Sequence, residues 1–176
     1  QKLAQLYRRR DGKLDALVAE FEGRTKTDGP DQFNAKLALA GIYVQAGRKG
    51  DAARLLDEAV ADRPQASAPR LMAANLAKDR GQPAAAKRHF EAALPLVKAG
   101  VERERVLRSL MVLSVETDAI DDARTYHRKL VRAANNSLFV RKELGNELYN
   151  RGKYALAEEE YREVVKAARG DNRALA

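Results

Sequence analysis

The stretch Ala35-Lys-Leu-Ala-Leu-Ala-Gly-Ile-Tyr-Val-Gln-Ala46, followed by Gly47, decides the fold. Leu39, Ala40 and Tyr43 recur at helical spacing on one face, and the glycine after them suits a left-handed helix stop. Five residues past that stop stands Ala52, four further Leu56 and three further Ala59, with Pro64 placed to end the segment. A small residue followed one turn later by a larger one marks a second helix packed closely on the first. The same sentence is written again in Val140-Arg-Lys-Glu-Leu-Gly-Asn-Glu-Leu-Tyr-Asn-Arg151 before Gly152, with Leu144, Gly145 and Leu148 in the matching places and Ala157, Tyr161 and Val164 after it.

Working outward, the stops Gly12, Gly47, Gly81 and Gly152 are 35, 34 and 71 residues apart. The last interval divides into 37 and 34 if Asp118 takes the role of a glycine, which an aspartate can do at some conformational cost. Behind four of these stops the columns align as Ala52, Ala86, Ala123 and Ala157, then Leu56, Phe90, His127 and Tyr161, then Ala59, Ala93, Leu130 and Val164. Pro69 and Pro83 fall near helix starts, where a missing N–H costs little. Pro95 should kink or end a second helix and Gly100 offers a stop, so the three extra residues lie near 94–105. A change of superhelical pitch is expected there. The period therefore predicts a single repeat domain over 1–176: a partial repeat at 1–32, repeats at 33–66, 67–103 (with the insertion near its end), 104–137 (degenerate) and 138–171, and the start of another at 172–176. Since both ends read as partial repeats without a polar cap, the parent protein is expected to continue in both directions.

Bulk composition agrees with an all-α class. Hydrophobic residues make up 45% of the 176, yet aromatics are 6% and tryptophan is absent, so the core relies on methyl groups that let helices approach closely. The absence of cysteine excludes disulfides, thiolate metal sites and cysteine nucleophiles, and does not fix the compartment. No apolar run approaches the roughly 20 residues of a membrane span. The net charge is +8, and half of it lies in 67–103, where seven Lys/Arg face three Asp/Glu. The remainder is diffuse, with no basic arm.

The columns resemble the tetratricopeptide repeat, a unit of 34 residues with Leu-Gly, an aromatic, Gly, Ala, an aromatic, Ala and a closing Pro. The matching residues are Leu39-Ala40-Tyr43-Gly47-Ala52-Leu56-Ala59-Pro64 and Leu144-Gly145-Leu148-Gly152-Ala157-Tyr161, while the third full repeat offers Met111, Ser114, Asp118, His127 and Leu130. The family's leading Trp is replaced by Lys36, Arg70, Leu107 and Arg141. The resemblance implies a right-handed superhelical solenoid of antiparallel helix hairpins, with first helices lining a concave groove. It further implies partner contacts at Asn34, Leu37, Gly41, Val44 and Gln45, then at Ala68, Leu71, Asn75, Lys78 and Asp79. In the later repeats the corresponding positions are Arg105, Arg108, Val112, Val115 and Glu116, then Phe139, Lys142, Asn146, Tyr149 and Asn150. Lys142 with Asn146 resembles the Lys-x-x-x-Asn part of a carboxylate clamp. Arg105, Arg108 and Lys142 suit an acidic segment, while Leu71, Val112, Val115 and Tyr149 suit apolar side chains.

No catalytic constellation stands out. His89 and His127 lie on or beside packing faces, Glu158-Glu-Glu160 reads as solvated helix surface, and the glycines are single punctuation marks and not a phosphate loop. No cofactor, metal or enzymatic activity is expected. The leading reading is a scaffold binding a protein or peptide. Nucleic acid is the alternative suggested by charge, against which Tyr43, Tyr149 and Phe139 do not recur at one inner position. A spacer that self-associates through its open repeat ends is the third.

Overall fold

The computed structural model describes residues 15–26, 29 and 31–173, with side chains described as far as 168. Gly12 and Leu14 of the first partial repeat, and residues 174–176 of the last, lie outside the described residues. The chain forms two compact units that divide between Gln82 and Pro83. Within the described residues every regular element is helical.

The first unit contains α1 (Asp15–Thr25), α2 (Gln32–Gln45), α3 (Lys49–Asp62) and α4 (Ser67–Asp79). Each packs on the next. Leu39 and Tyr43 of α2 meet Leu17 and Val18 of α1 and Leu55 and Leu56 of α3, and Ala73 and Leu76 of α4 complete this core. Ala40, Ala52 and Ala59 have no exposed surface, which is how the methyl columns bring the helix axes together. The Tyr43 hydroxyl donates to Glu22 Oε1 at 2.7 Å, and the Arg48 guanidinium lies over its ring at 4.2 Å.

The second unit contains α5 (Pro83–Ala93), α6 (Val101–Glu116), α7 (Ile120–Ala133), α8 (Leu138–Arg141), α9 (Glu143–Asn150) and α10 (Tyr154–Arg173). Helix α5 ends two residues before Pro95, in a tight turn over Leu94–Leu96, and Gly100 (φ 123°) precedes α6. The first helix of the last hairpin is divided at Lys142 into α8 and α9. Met111 and Val115 of α6, Ala123 of α7, Leu144 and Leu148 of α9 and Ala157 of α10 form one core cluster. Leu107, Leu130 and Val140 form another.

The helix stops share one geometry. Gly47 (φ 77°) and Asp118 (φ 60°) both sit in the left-handed region, and the next N–H reaches back five residues. Arg48 N donates to the Tyr43 carbonyl at 2.8 Å and Ala119 N to the Ser114 carbonyl at 2.8 Å. This closure satisfies carbonyls that the helix end would leave bare. It recurs after Gly81, after Gly152 and, without any glycine, at Asn135 (φ 53°), where Asn136 N donates to the Val131 carbonyl at 2.9 Å.

Candidate functional site

In the first unit, residues of the two first helices α2 and α4 converge on a cleft of about 490 Å³. Its wall includes Leu37, Gly41, Val44 and Gln45 from α2 and Asn75 and Asp79 from α4, and its apolar floor includes Phe21, Leu56 and Met72. Helix α1 supplies the Phe21 edge because Leu17 and Val18 anchor it to the core. Gly41 lies in mid-helix without a packing reason: a Cβ built on it would meet nothing within 4 Å. The cleft therefore combines an apolar floor, a stretch of bare helix and two amide side chains. Of the other positions inferred for this unit, Asn34, Ala68 and Lys78 are exposed and Leu71 is half-buried, all outside the cleft lining.

In the second unit Arg105, Phe139, Lys142, Asn146 and Tyr149 are exposed, Phe139 by 75% and Tyr149 by 57%. Tyr149 stands edge-on to Tyr154, ring centroids 5.2 Å apart, in a cavity of about 560 Å³ whose wall is otherwise α10, including Tyr161, Val165 and Lys166. Glu116 and Asn150 are also exposed. Val112 is half-buried against the core around Met111.

Three expectations require correction or qualification. Val115 is 1% exposed and packed in the core, so it cannot receive a partner's side chain. Arg108 is already engaged: its Nε and Nη2 donate to Glu143 Oε2 and Oε1 at 2.6 and 2.9 Å, a fork geometry that raises the guanidinium's proton affinity further. In the Glu158–Glu160 run, Glu158 and Glu159 are exposed helix surface as expected, and Glu160 alone is largely buried. Glu159 and Glu160 each accept from Arg124 at 2.7 Å, and Glu158 accepts from Arg162 at 2.7 Å.

The Arg108–Glu143 and Arg124–Glu159/Glu160 pairs belong to a series that sequence reading did not anticipate. Lys87 pairs with Asp122, the Tyr126 hydroxyl donates to Glu91 at 2.8 Å, and Lys153 pairs with Asp118 at 2.7 Å. Each joins residues 35 or 36 apart, about one repeat, so a donor in one hairpin, cationic in every pair but Tyr126–Glu91, meets a carboxylate of its neighbour. The signal was present as opposite charges one period apart. His127 is 8% exposed, with Nε2 at 3.0 Å from the Val140 carbonyl, a contact that requires the proton on Nε2. Among the described residues no group of three His, Asp or Glu side chains is placed to hold a metal, and no helix is long and apolar enough to cross a membrane.

No family model matches the sequence, and no curated protein matches it. Solved structures do. The chain is similar to MamA from Desulfovibrio magneticus RS-1 (14% identity, 96% of this chain and 93% of that one, TM-score 0.66). It is similar to PilF of Pseudomonas aeruginosa (20% identity, 94% and 73% covered, TM-score 0.62). It is also similar to YrrB, described as a TPR protein with an unusual peptide-binding site (20% identity, 85% and 73% covered, TM-score 0.57). At these identities the likeness defines the fold: an all-α repeat solenoid of the tetratricopeptide type.

Proposed function

We propose that the chain is a protein-interaction scaffold that holds a peptide or protein segment against its first helices. The observation that carries this reading is the α2–α4 cleft, where two successive first helices present apolar surface, bare helix at Gly41, and the amides of Gln45 and Asn75. Apolar contact with a few oriented hydrogen-bonding groups is the chemistry by which grooves hold polypeptide segments. The likeness to YrrB, whose description includes a peptide-binding site, supports it. In this reading Arg105, Phe139, Lys142, Asn146 and Tyr149 are further contact positions, and Arg105 and Lys142 receive acidic side chains in place of Arg108, which Glu143 occupies.

The test is selection of binders from a random peptide display on the whole chain, followed by titration against wild type and Gly41→Arg. Space at Gly41 lets the new side chain fill the cleft without disturbing the core. Selected peptides should bind Gly41→Arg at least about tenfold more weakly. Equal affinity for both proteins would remove the cleft as the binding site, and a selection that yields no binder would count against the scaffold reading itself.

A further inference from the structure

The side of the second unit formed by the second helices α7 and α10 carries a separate cleft of about 710 Å³. Six cationic and three carboxylate side chains line it. The carboxylates are all used within the unit: Glu159 and Glu160 hold Arg124, and Glu163 holds Lys166. Arg162 is held by Glu158. Arg128, Arg132 and Arg141 remain. Arg128 donates only to the Thr125 hydroxyl and Arg141 only to the Asn136 carbonyl, and none of the three pairs with a carboxylate among the described residues. Arg128 and Arg132 stand one turn apart on α7, an arrangement of like charges that weakens an isolated helix. Arg108 and Arg151 elsewhere in this unit, and Arg124 on the wall of this cleft, each face a glutamate. Arg128, Arg132 and Arg141 line the same cleft with no carboxylate of their own.

We infer that this cleft is a second binding surface, taking an acidic polypeptide segment whose carboxylates pair with Arg128, Arg132 and Arg141. Guanidinium forks bind carboxylates in two-point geometry. Half-buried Val131 and Val164 line the same cleft and give the segment an apolar contact between its charges. Polypeptide is favoured over nucleic acid on two grounds. Three glutamates on the α10 wall repel a continuous phosphate backbone, whereas separated carboxylates can avoid them. The cleft lining also holds no tyrosine or phenylalanine on which bases could stack.

The experiment uses the whole chain and three fluorescent probes: an alternating Glu-Leu peptide, its Gln-Leu counterpart, and a single-stranded oligonucleotide of the same charge as the first. Binding is measured for wild type, for Arg128→Gln/Arg132→Gln/Arg141→Gln, and for a control Arg80→Gln/Arg88→Gln/Lys98→Gln that removes the same charge from exposed positions outside both proposed surfaces. Thermal melts establish that each variant is folded. The expected result is Glu-Leu binding that falls about tenfold or more in the cleft variant and less than about twofold in the control, with no binding of the Gln-Leu peptide. Equal losses in both variants would mean diffuse charge attraction. Loss confined to the control would place the acidic partner away from this cleft. Tighter binding of the oligonucleotide through the same arginines would make the surface a nucleic-acid site. No binding of the acidic peptide would leave the cleft without its partner. Each of these four outcomes overturns the inference.

Discussion

Two glycines in mid-helix, one in each unit, illustrate how differently the same residue can be used. A Cβ on Gly145 would lie 2.7 Å from Tyr161 Cε1, and that ring is held by its hydroxyl donating to Asn146 Oδ1 at 2.8 Å. Gly145→Ala must displace the ring and its hydrogen bond, and should destabilise the protein by about 1–3 kcal/mol, the usual range for overpacking. Gly41→Ala meets only open space and should stabilise it by about 0.5–1 kcal/mol through helix propensity. Urea unfolding of the two variants checks both signs. A Gly145→Ala protein as stable as wild type would show that Tyr161 is not fixed where it lies. The contrast also bears on function. A residue that costs helix stability and relieves no clash leaves room for something else, which in the proposed scaffold is the bound segment.

At the level of helices and their pairing, much was legible because one physical constraint wrote it several times. The stops at Gly47, Gly81, Asp118 and Gly152 needed a left-handed residue, and all four are in that region. Ala52, Ala86, Ala123 and Ala157 needed to vanish between helices, and none has exposed surface. What escaped was what does not repeat by residue type. Asn135 closes α7 as a glycine would, but an asparagine in an unaligned linker carries no such signal by itself. Arg108 read as a partner contact because the family resemblance places it on the groove, and Glu104 one turn earlier on its own helix was the acid in sight; the acid that bonds it is Glu143, from the next hairpin. Likewise the α7–α10 cleft depends on which arginines find glutamates, and that is settled only by tertiary packing. The pairing itself is testable. Arg108 is 39% and Glu143 15% exposed on the side chain, so the pair sits between surface and core. A double-mutant cycle with Arg108→Gln and Glu143→Gln should give a coupling of about 1 kcal/mol at low salt. In 1 M salt, where the Debye length is about 3 Å, most of it should be gone. A coupling near zero at low salt would mean the fork is not maintained in solution.

Across the whole molecule, each unit contains a tyrosine whose phenol is held neutral. In the first, burial and the hydrogen bond to Glu22 raise the pKa of Tyr43; in the second, burial and the hydrogen bond to Glu91 raise that of Tyr126 well above its ordinary value. The unfolded chain ionises these groups near pH 10. Below that pH their contribution to stability is fully present. As pH rises through the folded-state values, deprotonation in the unfolded state wins and stability is lost. Urea midpoints should therefore fall above about pH 10, and fall less steeply in Tyr126→Phe. Parallel curves for variant and wild type would show that Tyr126 is not one of the groups responsible. The ion pairs one repeat apart have a consequence of another kind. Regarded as a material, the stack of hairpins in the second unit has two sorts of joint. Contacts through Met111, Val115, Leu144 and Leu148 are dry and hold no charge for salt to screen, while those through Lys87, Arg108, Arg124 and Lys153 are ionic and weaken as salt screens them. Ionic strength should then act on elasticity: the same fold is expected to be stiffer in dilute solution and more compliant in brine.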